Sequence, residues 1–151
     1  DLRQSMRLVE RATITVAAGV EGDHKGGKFP RRAVTLLARD DWEAALLDLA
    51  GVAGPPDLDW TARRANLLVT GLALACGPGS LIRVGSAMIE VTAPTTPCAR
   101  MDEVFPGLRT ALATGGRGGV TARVVADGEV AVADRVEVLN AIAVEMVRLP
   151  G

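Results

Sequence analysis

Short stretches in which polar and apolar residues alternate run through most of this chain. Successive side chains of a β-strand point to opposite faces of a sheet, so this alternation indicates strands with one buried face. Val, Ile and Thr, which favour strands, fill many of these positions. The pattern predicts strands over residues 13–17, 33–38, 66–70, 81–84, 87–91, 120–126, 129–132 and 135–139.

Two of the predicted connections have the length and composition of tight turns. Gly85 and Ser86 join two strand stretches through only two residues, and Asp127 and Gly128 do the same later in the chain. Asp-Gly is a preferred composition of the type I′ turn, whose twist matches that of an antiparallel pair of strands. We therefore expect a β-hairpin at each position.

One segment has helical periodicity. Asp40 is suited to cap the free N–H groups of a helix, and Glu43 lies three residues on, in the capping-box position. Apolar residues then recur at helical spacing up to Gly51, at Trp42, Ala45, Leu46 and Leu49. Seven or eight strands with one or two helical insertions leave few exposed edges if they close as a barrel. The predicted fold is mainly β, a closed or partly open β-barrel.

Composition limits the number of domains and the classes of partner. The length of 151 residues and the mass of 15.7 kDa predict a single domain over 1–151. The net charge of −1 argues against a general nucleic-acid binder, which needs an excess of Lys and Arg. No apolar run reaches the roughly 18 to 20 residues of a membrane helix, and the first residues given lack the apolar stretch of a secretory signal. We therefore expect a cytoplasmic protein without nucleic-acid or membrane partners.

Cys98 has the local chemistry of a reactive residue. It follows Pro97, and Arg100 lies two positions later. The thiolate attacks electrophiles, carries sulfur and binds soft metals, and nearby positive charge favours this form. The alternative is a small buried hydrophobe, a common role of free cysteine. Cys76 has no basic neighbour, so we expect it to be structural, although a bridge between the two cysteines stays open.

A first basic segment, residues 23–28, is followed by Arg31 and Arg32 and contains the only histidine. Its glycines allow the backbone to approach a ligand closely, and its cationic side chains suit a phosphate. The candidate binding residues here are Asp23, His24, Lys25 and Arg32. The alternatives are a solvated surface loop for the segment and a loop-bracing role for His24.

A second basic segment directly precedes a predicted strand and contains Arg63, Arg64 and Asn66. Arginine binds carboxylate or phosphate through a fixed fork of donors, and asparagine both donates and accepts hydrogen bonds. Arg100 and Arg117 would join the same surface if the barrel brings its loops together. These four arginines and Asn66 complete the set of candidate anion-binding residues.

The sequence argues against two other kinds of site. One histidine and two cysteines cannot supply a tetrahedral zinc set at a recognisable spacing, so no zinc is expected. A cysteine-protease dyad of His24 with Cys98 has no supporting signature.

Six segments, taken in order, resemble the MOSC domain, the module named after the C-terminal part of the molybdenum cofactor sulfurases. They are Gly19 to His24, Arg32 to Leu37, Arg63 to Gly71, Gly85, Pro97 with Cys98, and Arg117 to Asp134. The resemblance covers about residues 19 to 138. It implies a β-barrel with a cysteine at the rim of a positively charged pocket, and Cys98 matches that cysteine.

For the chemistry, the resemblance implies that Cys98 either binds the molybdenum of a pterin cofactor or carries sulfur as a persulfide. Both roles use a soft, deprotonated sulfur. The pterin cofactor also carries a phosphate, which the basic residues would bind. Larger reductase relatives have a second barrel domain and a second cysteine three positions after the first, where this chain has Met101.

Three functional hypotheses follow. The first makes the protein an enzyme, and the second makes it a sulfur-transfer protein. The first is a molybdenum-pterin protein that reduces N-hydroxylated compounds with a reductase partner. The second is a persulfide carrier on Cys98. The family is also associated with pyridoxal phosphate, but this sequence has no Lys-centred domain for it, so a cysteine desulfurase would have to donate the sulfur. The third is a non-enzymatic module that binds a phosphorylated small molecule.

Overall fold

A computed structural model describes residues 9–22, 29–71, 74 and 77–140, and nine strands in this part of the chain form two sheets. The strands are β1 (Arg11–Thr15), β2 (Gly19–Val20), β3 (Val34–Ala38), β4 (Leu67–Val69), β5 (Leu81–Val84), β6 (Ala87–Pro94), β7 (Val120–Ala126), β8 (Gly128–Ala131) and β9 (Val136–Asn140). The α-helices are α1 (Arg39–Asp48), α2 (Arg100–Val104) and α3 (Leu108–Ala113). Short 3-10 helices cover Pro30–Arg32, Trp60–Arg63 and Thr114–Gly116.

The larger sheet has the strand order β4-β3-β7-β6-β5-β9, and the smaller sheet has the order β2-β1-β8. Their strands pair antiparallel, except that β3 and β4 run parallel. The two sheets pack on each other, since β1 contacts β7 and β8 contacts β6. The prediction of a mainly β, partly open barrel is therefore confirmed.

Strand β3 is apolar on both faces because it separates two hydrophobic clusters. Leu36 belongs to the cluster between the sheets, together with Ile89 of β6. Leu37 points to the opposite face and joins a cluster built largely from the helices, with Leu108 and Leu112 of α3. A strand covered on both faces reads as a continuous apolar run instead of an alternating one.

One of the two predicted hairpins is confirmed and the other is wrong. β5 and β6 form a hairpin around Gly85 and Ser86, with Val84 paired to Ala87. β7 and β8 do not pair with each other in the described part of the chain, because β7 lies between β3 and β6 while β8 pairs with β1 in the smaller sheet. The Asp127 carboxylate accepts a hydrogen bond from the Val16 N–H (2.7 Å), so it braces the β1–β2 turn.

The helices differ in detail from the prediction. α1 begins at Arg39, after Ala38, and no side chain caps it, so the predicted cap at Asp40 is wrong. Asp40 lies in the first turn, where the helix dipole stabilises a negative charge. α1 ends at Asp48, ahead of Gly51. Within the residues described, no helix is long and apolar enough to cross a membrane.

The order of strands in the larger sheet brings three distant segments to one place. β6 ends beside the start of β7, because Pro94 pairs with Val120. Val120 also pairs with Leu36 of β3, and Leu36 pairs with Leu67 at the start of β4. The loops that precede β4 and β7 and the loop that follows β6 therefore meet at this end of the sheet.

Candidate functional site

Cys98 lies in the loop that leads from β6 to α2, and its thiol is free and exposed. Buried residues fix the loop on both sides of it, Pro97 before and Met101 after. The Cys98 carbonyl accepts a hydrogen bond from the Met101 N–H (3.0 Å), which joins the loop to the first turn of α2. The loop therefore presents the sulfur to solvent on an anchored backbone.

Two glycines ahead of β7 allow this loop to pack against the sheet. The Thr95 N–H donates to the Gly119 carbonyl (2.8 Å), which extends the pairing of β6 with β7. A Cβ atom on Gly118 would lie 2.2 Å from the Thr95 carbonyl oxygen and 3.3 Å from Pro97. Gly119 has a left-handed backbone (φ +90°), and a Cβ there would lie 2.1 Å from the Leu36 carbonyl oxygen. Only glycine fits at these two positions without a shift of the backbone.

Arg63 is the basic residue that interacts with Cys98. It is half-buried at the end of the 3-10 helix Trp60–Arg63, and its Nη2 donates to the Gly118 carbonyl (3.1 Å). Burial lowers the pKa of Arg63 from its usual value, and the negative charge of Cys98 acts in the opposite direction. Arginine remains charged at neutral pH even so. The guanidinium and the sulfur are thus electrostatically coupled across the loop.

The local sequence explains the position of Arg63. Asp59 precedes the 3-10 helix, and its carboxylate accepts a hydrogen bond from the Thr61 N–H (2.9 Å), which lowers the pKa of Asp59. This is the usual role of an aspartate at a helix N-cap. Arg64 then ends the helix with a left-handed backbone (φ 61°) and turns the chain into β4.

Two buried polar atoms at the site find no hydrogen-bond partner within the described part of the chain. They are Nε of Arg63 and Oγ1 of Thr95. Buried polar groups in folded proteins are nearly always hydrogen-bonded, because an unpaired one loses the solvation that water would provide. The described residues therefore leave both atoms unsatisfied.

A groove of about 510 Å³ adjoins the Cys98 loop. Arginine and threonine side chains provide its polar lining, which consists of Arg31, Arg32, Thr92, Thr95, Thr96 and Thr121. Among the described residues, no Asp or Glu lines it. The predicted binding residue Arg32 thus lies beside the loop of Cys98, in a groove of cationic and hydroxyl groups.

Asn66 and Arg117 are held by contacts within the protein. The Asn66 side-chain oxygen accepts hydrogen bonds from the N–H (2.9 Å) and the hydroxyl (3.1 Å) of Thr35, which ties the segment before β4 to β3. Arg117 pairs with Asp48 of α1 and donates to the carbonyl of Ala111 (3.2 Å). The binding roles of both residues stay predictions.

The other predicted residues divide into two groups. Arg64 and Arg100 lie next to the site, since Arg64 follows Arg63 and Arg100 starts α2 with an exposed side chain. Asp23, His24 and Lys25 lie outside the described residues.

Sequence reasoning assigned no role to Thr95 or Gly118, although both shape the site. The sequence does contain a signal for Gly118, a pair of glycines directly before an alternating strand. Glycine in such a place often marks a point where two backbone segments approach closely. No sequence pattern identified Thr95, whose role depends on burial.

The sequence matches the MOSC domain family over residues 21–137, and the chain belongs to this family. No curated protein matches the chain. The recognition made from the ordered segments is therefore confirmed.

Three solved structures that resemble the chain are named as bacterial proteins. YiiM from Escherichia coli has a TM-score of 0.65 at 22% identity, with 91% of this chain and 66% of YiiM covered. The YuaD protein from Bacillus subtilis has a TM-score of 0.69 at 17% identity, with 87% and 86% covered. YiiM from Geobacillus stearothermophilus has a TM-score of 0.64 at 17% identity, with 88% and 62% covered. The chain thus spans about two thirds of either YiiM protein, and the likeness concerns the fold.

The close packing of Gly118 predicts an effect of a single added methyl group. In Gly118→Ala the Cβ would overlap the Thr95 carbonyl oxygen, so the loop must move away from the sheet. We expect a loss of about 1–3 kcal/mol in the free energy of unfolding, measured by urea denaturation, together with a changed rate of Cys98 alkylation by iodoacetamide.

Gly51→Ala is the matched control, because a Cβ there has no atom within 4 Å and the backbone is not left-handed. It should change the free energy of unfolding by no more than about 0.5 kcal/mol. Equal effects of the two substitutions would contradict the close packing of Gly118 against the loop.

The hydrogen bond of Arg63 to the Gly118 carbonyl predicts a loss of stability when the guanidinium is removed. Arg63→Met keeps much of the side-chain volume but leaves the Gly118 carbonyl without this donor. We expect the free energy of unfolding to fall by about 1–3 kcal/mol, measured by urea denaturation. Arg64→Met serves as the control and should change the free energy of unfolding by no more than about 0.5 kcal/mol. Equal losses in both variants would contradict a specific role of Arg63.

Proposed function

We propose that this MOSC-domain protein binds a molybdenum-pterin cofactor, with Cys98 as the protein ligand of the molybdenum. The observation that carries the proposal is an exposed, free thiol coupled to the half-buried guanidinium of Arg63. Thiolate is a soft ligand of the kind that suits a transition metal, and a cation next to it favours the deprotonated form.

The residues present fit such a group. A metal-bearing cofactor with an anionic tail needs a sulfur ligand and donors for oxygen atoms. Cys98 is accessible from solvent, and the Nε of Arg63 is a buried donor without a partner within the described residues. Arg64, next to Arg63 in sequence, and Arg100, two positions after Cys98, add positive charge. The proposed binding set also contains Arg32, Asn66, Arg117, Asp23, His24 and Lys25.

Each of the central residues has a role of its own in this proposal. Cys98 would hold the metal, and its anchored loop would set the direction of the sulfur. Arg63 balances the charge of the thiolate, and its hydrogen bond to the Gly118 carbonyl fixes the guanidinium. Gly118 and Gly119 permit the loop and the sheet to approach closely enough for this contact.

The activity that we propose is the reduction of N-hydroxylated compounds. When bound, the cofactor would supply two-electron redox chemistry. In the overall reaction the N–O bond breaks, two electrons from a reductase partner and two protons are taken up, and the amine and water are released. The hydroxylated substrate would reach the site from solvent, since Cys98 is exposed.

The proposal predicts that the cofactor content depends on Cys98. Protein produced in a host with sufficient molybdenum cofactor should contain molybdenum and pterin, measured by elemental mass spectrometry and by the fluorescence of the released pterin. Cys98→Ser should lower the molybdenum content to background, because the hydroxyl is a poor ligand for a soft site. Cys76→Ser, the other cysteine substitution, should retain it. Freshly purified protein that contains neither molybdenum nor pterin would contradict the proposal.

A second candidate function is favoured by the exposure of Cys98. A persulfide carrier must present its sulfur to a donor protein, and a thiolate in an exposed loop meets that need. Incubation with a cysteine desulfurase and free cysteine should then produce sulfur that cyanide releases. This sulfur should be lacking in Cys98→Ser and present in Cys76→Ser. A yield in wild-type protein no higher than in Cys98→Ser would contradict the carrier function.

A further inference from the structure

We infer that the free edge of β9 pairs with the same edge of a second copy of this chain, so that the larger sheets of two copies join across a two-fold axis. The inference goes beyond the proposed function, because it involves no ligand and none of the residues around Cys98. Three observations on β9 carry it: its position at the edge of the sheet, the direction of its backbone groups and the charges on its outer face.

β9 is the longest sheet edge without a partner strand in the described part of the chain. It has five residues and pairs with β5 alone among the residues described. The edge strands β2 and β4 have only two and three residues, and the N–H and the carbonyl of Glu129 in β8 both form hydrogen bonds with Ser86. Natural proteins often block such an edge with Lys or Pro, because an unpaired strand is a template for another. β9 contains neither residue.

Two valines direct their backbone groups to the open side of β9. The Arg135 carbonyl, just before the strand, accepts a hydrogen bond from the Gly85 N–H (3.3 Å). Successive residues of an antiparallel strand alternate in the direction of their N–H and C=O groups. Glu137 therefore also points these groups to β5, whereas Val136 and Val138 point theirs to the open side. β9 thus offers two donors and two acceptors to another strand.

The charges on the outer face favour a second copy as the partner. The guanidinium of Arg135 and the carboxylate of Glu137 lie 3.9 Å apart on this face. In an antiparallel pairing, Val136 of each copy would lie opposite Val138 of the other. Arg135 of one copy then lies diagonally across from Glu137 of the second copy, within reach of a long side chain. Symmetry repeats this contact, so the edge is complementary to itself.

Arginines also offset the one unfavourable contact of this pairing. The two Glu137 side chains lie opposite each other at the axis, where like charges destabilise a strand pair. Arg83 of β5 is exposed and lies beside Glu137 in the register. Each carboxylate is therefore surrounded by Arg83 and Arg135 of its own copy and Arg135 of the second copy. The net charge of −1 adds little repulsion between two whole copies.

The core side of the edge adds apolar contact but little area. Val136 and Val138 are only partly buried and pack against the cluster between the sheets, so the facing valines of two copies would shield each other from water. A register shift beside Leu81 makes β9 irregular after Val138. The interface is therefore short, and we expect a dissociation constant on the order of 10–100 μM.

The dimer leaves the candidate site open. β9 and β4 are at opposite ends of the strand order in the larger sheet. The loops around Cys98 precede β4 and β7 and follow β6, away from the β9 edge. Cys98→Ser should therefore keep the wild-type dissociation constant, so the outcome is independent of the cofactor proposal.

The test is sedimentation velocity of the purified protein between about 1 and 500 μM, in which the wild type should shift from monomer to dimer. Glu137→Arg makes the edge more cationic and Arg135→Glu makes it more anionic, so each variant alone should weaken self-association by about tenfold or more. Arg39→Glu is the matched control, because Arg39 is an exposed, ion-paired arginine on α1, away from β9. Its dissociation constant should equal that of wild type.

Mixing the two variants separates a charge effect from a loss of structure. An edge with arginine at both positions complements an edge with glutamate at both. An equimolar mixture of Glu137→Arg and Arg135→Glu should therefore form a heterodimer at least as tight as the wild-type dimer. A wild type that stays monomeric over the whole concentration range, a mixture that does not associate, or an equal loss in Arg39→Glu would overturn the inference.

Amide hydrogen exchange, measured by NMR, locates the contact on the strand. The N–H groups of Val136 and Val138 should exchange more slowly as the protein concentration rises. The N–H of Glu137 is the internal control, because it points to β5 and should be protected at every concentration. Protection of both valines that does not depend on concentration would overturn the inference, since a segment of the same chain, such as residues 141–151, would then cover the edge.

Discussion

The site depends on the close approach of two backbone segments that are separated by more than 20 residues. Thr95 pairs with Gly119 through a hydrogen bond, and Gly118 leaves only the space of a hydrogen atom against the Thr95 carbonyl. Because of this contact, the loop after β6 lies flat on the start of β7 and its cysteine projects outward. Larger side chains at either glycine would separate these segments and disperse the groups around Cys98.

The same contact organises the electrostatics around the thiol. The Gly118 carbonyl accepts a hydrogen bond from Arg63, which draws a half-buried guanidinium under the loop. Arginine has five donors in a rigid fork, and one carbonyl leaves several of them for other partners. Nε of Arg63 and Oγ1 of Thr95 have no partner within the described residues.

Local patterns predicted the strands well because each depends on neighbours in sequence. The β5–β6 hairpin forms at Gly85 and Ser86 as expected, since a two-residue connection brings the two strands side by side. The turn at Asp127 and Gly128 has an equally strong signal, yet β8 crosses to the smaller sheet. This pairing joins β8 to a strand more than 100 residues earlier in the chain, so the turn residues alone do not predict it.

The sequence by itself determined the family and the mainly β architecture, because alternation, turn residues and ordered segments are properties of the linear chain. Only the tertiary structure decided which basic residues surround Cys98. Arg63 couples to the sulfur, whereas Arg117 is paired with Asp48 and the Asn66 oxygen is bound to Thr35. A side chain's partners depend on which distant segments the sheet places beside it, and charge and hydrogen-bonding capacity alone do not carry that information.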